Sequence, residues 1–413
     1  MKRASLQFLL LLAVITSVCA QTPPAVQVQN YLQLPPTFFK EGDANLFTGA
    51  LSYDGRVIVS LQAAFTHTGE GRRYDIPSGR QTVFWKNGQI SSGKYPWFAR
   101  EGYIRLSHDG SLVVFDAFLA DKNKTPADPW GAAVIVKPTT GTGGAQVFDL
   151  KQFLRSKDAD IDGARGISGM DMNADGSVIY VTVPFHKKSD SEHARSYPIR
   201  VALVEINPRH NNMIYHSAAS NGEQYYPFAS ITTNASGKSF AYKGAGPGGK
   251  GLFAYIYTGQ WVEKYGHYQA GAQAWSGVNT SPERGGPVMM GKNDGSYIFM
   301  YPQEKGPILA YNWRSKSALP FGTAKTGTWS IPNYADSRFA SFDGDHLFYK
   351  SGREWVWYDL QKSPGVLPPP TSGTNLTIPL HNNVFMSEDG STLLLIETKG
   401  NTKRLIVMTV AVP

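Results

Sequence analysis

One turn signal recurs along the chain. Asp or Ser stands directly before Gly at seven places that are 46 to 66 residues apart. The Asp or Ser side chain accepts a hydrogen bond from nearby backbone, and Gly adopts the positive φ that a tight turn needs. Each pair therefore predicts a β-hairpin. The seven pairs are Asp54-Gly55, Asp109-Gly110, Asp175-Gly176, Ser236-Gly237, Asp294-Gly295, Asp343-Gly344 and Asp389-Gly390.

An apolar run of β-forming residues follows every turn, which is typical of strands buried on both faces. A period near 50 residues with room for four strands indicates a propeller or a solenoid. We predict an all-β fold: a seven-bladed β-propeller of four-stranded antiparallel blades. The runs are residues 57–61, 112–115, 178–183, 240–242, 297–301, 347–349 and 393–396, and third strands are visible at 132–136, 201–206 and 355–359.

The two ends of the chain fit a closed ring. After the last turn only two strands follow, so the last blade has three strands of its own. Residues 26–34 alternate and contain β-forming residues, and we predict that this N-terminal strand closes the ring and leaves no open seam. The alternative is that residues 21–35 form a loose tail. The predicted organisation is a signal peptide over 1–20 and one propeller domain over 21–413.

Three of the turns resemble known repeats. The phrases Leu51-Ser52-Tyr53-Asp54-Gly55, Leu106-Ser107-His108-Asp109-Gly110 and Met386-Ser387-Glu388-Asp389-Gly390 are similar to the blade repeats of TolB-like, YVTN-type and WD-repeat propellers. The resemblance covers short turns rather than whole blades, and it implies an architecture but no activity. The chain lacks the Ser-x-Asp-x-Gly-x-Thr-Trp box of sialidases and the recurring Gly-His and Trp-Asp pairs of true WD repeats.

The first twenty residues have the features of a signal peptide: Lys2 and Arg3, an apolar run over 6–14, and small residues before Gln21. No other stretch approaches the roughly 18 apolar residues of a membrane span. Cys19 is the only cysteine, so the mature chain has no disulfide and its stability must come from its core. We predict a secreted, extracellular protein (periplasmic if the source is bacterial) without a transmembrane segment.

The charge balance favours acidic partners. Removal of Lys2 and Arg3 with the signal peptide lowers the formal net charge of +8 to +6. No Lys/Arg run is dense enough to predict nucleic-acid binding. We expect a monomer whose partner is an extracellular glycan or a protein.

Four arginines stand just before predicted first strands, in loops that a propeller would gather around one axis. Guanidinium groups bind carboxylates or sulfates through paired hydrogen bonds. These residues predict an anion-binding funnel; the alternative is that each Arg ties blades together by bonding loop carbonyls or Asp residues. They are Arg100, Arg165, Arg284 and Arg338.

Aromatic and imidazole side chains in other such loops complete the candidate ligand site, with Tyr226 and His381 as its members. Aromatic faces stack on sugar rings, and a His or Tyr could remove a proton beside a uronate carboxylate that an Arg neutralises. The alternative for each His is a surface or packing role. No known catalytic signature fixes a mechanism.

Asp158, Asp160 and Asp162 alternate before Gly163, a pattern that can wrap a hard cation such as Ca²⁺. The closing acid of a calcium loop is absent, because Gly169 stands where it would be. An exposed acidic loop is the alternative to calcium.

Four Asn-x-Ser/Thr sequons could carry glycans if the source is eukaryotic. They begin at Asn123, Asn234, Asn279 and Asn375.

Two function hypotheses follow. The first is a secreted, non-catalytic binding protein that recognises a glycan, acidic by preference, or a protein through its funnel. The alternative is an extracellular carbohydrate-active enzyme, a lyase or hydrolase acting on polysaccharide that contains uronic acid. Convergence of a His or Tyr on a paired Arg would favour the enzyme, and a filled funnel would favour the binding protein.

Overall fold

The structure is a computed structural model. It describes residues 25–36, 38, 48–62, 69–120, 132–141, 143–164, 166–189, 200–216, 231–245, 252–257, 261–262, 288–290, 297–300, 308–312, 317–321, 346–351, 354–359, 365–367, 373–377 and 385–411. The predicted signal peptide lies outside these residues.

The described strands form seven antiparallel sheets, which are numbered here in chain order. Sheet 1 contains β2 (Thr48–Leu51), β3 (Val57–Gln62), β4 (Glu70–Asp75) and β5 (Arg80–Lys86). Sheet 2 contains β6 (Ser91–Ser92), β7 (Tyr95–Leu106), β8 (Leu112–Leu119), β9 (Ala133–Pro138) and β10 (Gln146–Asp149). Sheet 3 contains β11 (Ile161–Ala164), β12 (Gly169–Met172), β13 (Ile179–Lys187), β14 (Arg200–Asn207) and β15 (Asn212–His216).

Sheet 4 contains β16 (Ile231–Thr233), β17 (Phe240–Ala245), β18 (Leu252–Tyr257) and β19 (Trp261–Val262). Sheet 5 contains β20 (Val288–Met290), β21 (Tyr297–Met300), β22 (Ile308–Asn312) and β23 (Ser317–Phe321). Sheet 6 contains β24 (His346–Ser351), β25 (Glu354–Asp359) and β26 (Gly365–Val366). Sheet 7 contains β27 (Thr374–Thr377), β28 (Thr392–Lys399), β29 (Thr402–Ala411) and the N-terminal β1 (Gln27–Gln33).

Strands dominate the described chain, as the all-β prediction requires. Every apolar run predicted after a turn coincides with a strand, except that Val178 stands just before its strand and Tyr301 lies outside the described residues. These strands are β3, β8, β13, β17, β21, β24 and β28. The three predicted third strands are β9, β14 and β25. One α-helix, α1 (Leu150–Lys157), and a 3₁₀ turn at Pro208–His210 lie among the described residues. Within that part of the chain no helix is long and apolar enough to cross a membrane.

Five of the seven predicted turns lie among the described residues and share one hydrogen-bond pattern, whereas the turns at Asp294-Gly295 and Asp343-Gly344 lie outside those residues. In the turn of sheet 2, the Ser107 hydroxyl accepts from Leu112 N at 2.9 Å and donates to Asp109 Oδ1 at 2.8 Å. Gly110 closes the turn at φ +67°. The Ser or Asn side chain in the first position therefore accepts a hydrogen bond from the backbone N–H that begins the next strand. Gly adopts the left-handed conformation that the turn requires. The same capping residue and positive-φ Gly occur at Ser52 and Gly55, Asn173 and Gly176, Asn234 and Gly237, and Ser387 and Gly390.

Each of two turn glycines also packs against the preceding sheet. A Cβ added to Gly110 would lie 2.5 Å from Val57 Cβ, at the start of β3 in sheet 1. A Cβ on Gly55 of sheet 1 would lie 2.8 Å from Thr392 Oγ1, at the start of β28 in sheet 7. Sheets 1 and 7 therefore meet through the same contact that joins sheets 1 and 2.

The N-terminal strand is ordered against the end of the chain. β1 pairs antiparallel with β29, from Gln27 opposite Ala411 to Gln33 opposite Ile406. Just before it, Val26 N donates to Val366 O of sheet 6 at 2.7 Å. Residues 25–33 thus connect sheets 6 and 7 rather than forming a loose tail.

The core lies between neighbouring sheets. One apolar cluster joins Phe348 of sheet 6, Leu394 of sheet 7 and Ile58 of sheet 1, and a second joins sheets 2 and 3. Because both faces of these central strands are covered, the strands are predominantly apolar, as their sequences indicated.

Candidate functional site

The inner strands of five sheets stand side by side. β2 contacts β7, β7 contacts β12, β12 contacts β16, and β16 contacts β20. Backbone hydrogen bonds link the turns at the ends of these strands from one sheet to the next. The bonds run from Asp54 N to His108 O (3.1 Å), His108 N to Ala174 O (2.7 Å), Ala174 N to Ala235 O (3.0 Å) and Glu388 N to Tyr53 O (2.7 Å). We call the side that carries these turns the turn side.

A buried polar cluster fills the space behind the turns. Tyr53 is 2% exposed and packs against the turn residues Ala174 and Ala235. Arg105 Nε lies 3.4 Å from Asp171 Oδ1, and both side chains are buried. Burial, followed by the Asp171 carboxylate, raises the pKa of Tyr53 while Arg105 opposes this shift.

The Asp171 carboxylate also reaches the next sheet. Its Oδ2 accepts from Thr233 N at 2.9 Å and from the Thr232 hydroxyl at 3.2 Å. The polar contacts of the cluster therefore join sheets 2 to 4, and Tyr53 of sheet 1 packs against the turns beside them. A satisfied, closely packed cluster is expected to hold sheets together rather than to bind a ligand.

A bulge interrupts the inner strand of sheet 2 on the opposite side. The pairing of β7 with β8 shifts register between Ala99 and Ile104. The Asp116 carboxylate of β8 accepts from Tyr103 N at 2.9 Å, and the Tyr103 hydroxyl donates to Ser168 O of sheet 3. The carboxylate thus holds the bulge, and the bulge is tied to the neighbouring sheet. We call this side the bulge side.

Arg100 lies in this bulge. Its Nε is 3.8 Å from Asp116 Oδ2, and its guanidinium carbon is 5.4 Å from the centre of the Phe118 ring. The Arg100 side chain is 27% exposed, whereas that of Asp116 is 2% exposed. A Cβ on Gly166 would lie 3.0 Å from Arg100 Nη1, so glycine there leaves room for the guanidinium.

Burial dominates the electrostatics of Asp116. It raises the pKa of this carboxyl to about 7, although Arg100 and the N–H groups of Tyr103 and Gly102 favour the charged form. A shift of this direction and size follows from taking a carboxylate out of water. Asp116 therefore changes charge near neutral pH beside a partly exposed guanidinium.

The position of Arg100 differs from the prediction. The sequence placed it in a loop before the first strand, but it lies within β7, because β7 begins at Tyr95 and continues through the bulge. The inner strand of sheet 3 is broken at the corresponding place: β11 ends at Ala164, β12 begins at Gly169, and both pair with β13. The other predicted ligand residues, Arg165, Arg284, Arg338, Tyr226 and His381, lie outside the described residues.

The three aspartates of the predicted calcium loop face different partners. Asp158 Oδ2 is 2.6 Å from Lys187 Nζ, and Asp162 Oδ1 is 3.4 Å from Arg155 Nη2. Asp160 Oδ2 accepts from the Ser189 hydroxyl at 2.8 Å. No group of three His, Cys, Asp or Glu side chains suited to a metal occurs among the described residues. Calcium binding by this loop stays a prediction.

Sequence reasoning missed the residues that shape the bulge, above all Asp116 and Phe118. A signal was present, because Asp116 is a single carboxylate within the apolar run 112–119, and such a residue is seldom buried without a partner. The same signal marks Arg105 beside Ile104 and Leu106. Neither residue follows from the turn repeat.

No protein-family model and no curated protein matches the sequence. Solved structures resemble the fold at 11–12% identity: the Dos1 propeller (TM-score 0.48, 93% of this chain and 95% of that one) and Kuenenia stuttgartiensis hydrazine synthase (0.47, 91% and 98%). The propeller domain of the trilobed protease from Pyrococcus furiosus is a third (0.42, 86% and 82%, 11% identity). Two of the three are named as propellers, but at these TM-scores the likeness assigns neither a family nor a function.

Proposed function

We propose that the seven sheets are the blades of one closed ring and that β1 completes its last blade. The turn-to-turn hydrogen bonds support this arrangement, because they join sheet 7 to sheet 1 as well as sheets 1 to 4. The contact of β16 with β20 extends the series to sheet 5, and the bond from Val26 to Val366 links sheet 6 to the strand that completes sheet 7. A ring has no free sheet edge at its seam.

On this ring, the chain acts as a secreted, non-catalytic binding protein whose bulge side takes an acidic extracellular ligand. The observation that carries the proposal is the placement of Arg100. The bulge and the Phe118 ring orient its guanidinium, yet more than a quarter of the side chain stays exposed. Pre-orientation lowers the entropy lost when a ligand binds.

The packing on the turn side favours ligand binding on the bulge side. Tyr53 and the Arg105–Asp171 pair are buried behind the turns, so an approaching ligand would meet packed side chains there. The bulge side carries Arg100, and the sequence Ala164-Arg165 repeats Ala99-Arg100 where the inner strand of sheet 3 is interrupted. Arg165, Arg284 and Arg338 are proposed as further members of the same site.

The ligand chemistry follows from the guanidinium and from the basic net charge. Carboxylate and sulfate groups accept two parallel hydrogen bonds from Arg. An acidic polysaccharide presents such groups repeatedly, so several arginines on one side of a ring can bind it together. We propose an acidic glycan as the ligand, with an acidic protein surface as the alternative occupant.

The test measures retention of the purified chain on immobilised acidic polysaccharide. Arg100→Ala should weaken binding about tenfold or more, because a charge-assisted hydrogen bond contributes about 1.5–3 kcal/mol. Arg80→Ala removes an exposed arginine at the start of β5 and should leave retention unchanged. Asp116→Asn removes the buried counter-charge and should not weaken binding.

Equal retention of Arg100→Ala and wild type at low salt would end the proposal. Thermal unfolding of each variant separates this result from misfolding. If Asp116→Asn and Arg100→Ala both lose retention only because they unfold, the arginine is a structural residue.

The enzyme hypothesis stays a prediction, since Tyr226 and His381 lie outside the described residues. It has its own test: a lyase would release unsaturated uronate, which absorbs ultraviolet light, from acidic polysaccharide.

A further inference from the structure

The structure describes two of the four sequons, Asn234 and Asn375, and places them in opposite environments. Asn234 is the first residue of the hairpin turn in sheet 4, and Asn375 lies on β27 in sheet 7. The sequence pattern alone treats the two alike.

Asn234 has a structural task. Its Oδ1 accepts from Ser239 N at 3.2 Å and from the Ser236 hydroxyl at 3.3 Å, and the residue is 5% exposed. This is the capping role that Asn173 fills in sheet 3, where Oδ1 accepts from Val178 N at 2.9 Å. A sugar on the Asn234 amide would have to lie where the turn packs.

The turn repeat explains why a sequon stands there at all. The five described turns begin with a Ser or Asn cap, and their third residue is Asp or Ser. Asn-Ala-Asp in sheet 3 is no sequon. Asn-Ala-Ser in sheet 4 matches the Asn-x-Ser pattern because Asn fills the capping position and Ser fills the third position of the turn. The sequon at Asn234 is therefore a by-product of the turn.

Asn375 lies on a strand and does not cap a turn. β27 alternates, with Leu376 4% exposed in the core and Asn375 exposed on the other face. A Cβ on the nearby Gly373 would meet no described atom within 4 Å. β27 pairs with the end of β28 that lies away from its turn, on the bulge side.

We infer that Asn375 is an N-glycan attachment site and that the fold excludes a glycan at Asn234. In the transfer, Asn375 Nδ2 loses a proton to a base of the host transferase and bonds to the anomeric carbon of an oligosaccharide. The bond from that carbon to a lipid pyrophosphate breaks, and the pyrophosphate leaves. The inference needs passage through a eukaryotic secretory pathway and does not depend on ligand binding.

The experiment secretes the full chain from a eukaryotic host and maps glycosylated peptides by mass spectrometry after enzymatic removal of Asn-linked sugars. We expect the Asn375 peptide to be modified and the Asn234 peptide to be unmodified in folded protein. Thr377→Ala should abolish the modification at Asn375, and Thr377→Ser should keep it. A version that carries the host's own signal peptide should be secreted even if the predicted signal peptide does not work. It therefore distinguishes a lack of secretion from a lack of glycosylation at Asn375.

Two results would overturn the inference. One is an unmodified Asn375 peptide in folded protein from the secretory compartments. The other is a sugar on Asn234 in protein that still unfolds cooperatively. Asn234→Gln serves as the control: it should lower the melting temperature, because the cap is lost, without changing the glycan mass.

Discussion

At the scale of single residues, Asp116 sets the properties of the bulge. Its carboxylate accepts backbone N–H groups of the bulge and faces Arg100, yet burial raises its pKa to about 7. Between its unfolded value near 4 and pH 7, the folded chain therefore holds a proton that the unfolded chain has lost. Folding is favoured where that proton is bound, so this contribution falls as pH rises through the window.

Asp116→Asn should remove this pH dependence. In the wild type, the contribution of Asp116 to the free energy of unfolding should fall by up to about 4 kcal/mol between pH 4 and pH 7. Hydrogen bonds outweigh burial and lower the pKa of Asp109, Asp175 and Asp389. Their contribution to stability is therefore lost as pH falls, and at lower pH than the window of Asp116. Urea unfolding at several pH values measures the slope. The same slope in Asp116→Asn and wild type would contradict the assignment.

The same proton should control ligand binding. When Asp116 is protonated, the charge of Arg100 has no ionised carboxylate beside it and acts fully on an external anion. Retention on acidic polysaccharide should therefore increase from pH 8 to pH 6 in the wild type and stay flatter in Asp116→Asn. If retention depended on pH in the same way in wild type and Asp116→Asn, the protonation of Asp116 would not affect ligand binding.

At the scale of elements, a turn glycine can have two roles, a positive φ and a close contact with the neighbouring sheet, and these roles can be tested separately. Gly110 takes φ +67° and also leaves room for Val57 of the neighbouring sheet. Gly141 takes φ +74°, but a Cβ added there would meet nothing within 4 Å. The two residues therefore share the backbone requirement and differ only in the contact between sheets.

Gly141→Ala should cost about 1–2 kcal/mol of stability, the penalty of a left-handed Ala. Gly110→Ala should cost about 1–3 kcal/mol more, because the added methyl group overlaps Val57. Chemical denaturation of both variants measures the difference. Equal losses would mean that sheets 1 and 2 do not meet as closely as described.

Local chemistry explains which elements were predictable. Asp-Gly and Ser-Gly turns act within six residues, so the five described turns and the strands after all seven predicted turns followed from the sequence alone. The bulge at Arg100 did not, because it depends on Asp116 of the next strand and on room at Gly166 of the next sheet. The sequence pointed to Arg100 as a site residue but missed its carboxylate partner, and contacts between distant segments carry no local pattern.

At the scale of the whole molecule, the proposed ring depends on the junction between the two ends of the chain. β1 and β29 lie about 380 residues apart in sequence and pair along their length. A covalent link across this pair would close a loop of nearly the whole chain. The chain-entropy model gives such a link about 5–6 kcal/mol, against about 2 kcal/mol for a short hairpin loop.

The most direct measurement is the melting temperature of a disulfide variant across this junction. Asn30→Cys with Thr409→Cys joins directly opposed residues of β1 and β29, and Thr398→Cys with Lys403→Cys joins β28 to β29 as the short-loop control. A closed ring predicts that the first disulfide forms readily and raises the melting temperature well above both its reduced form and the oxidised control. A first pair that stays reduced, or an oxidised form no more stable than the control, would contradict a ring closed by the N-terminal strand.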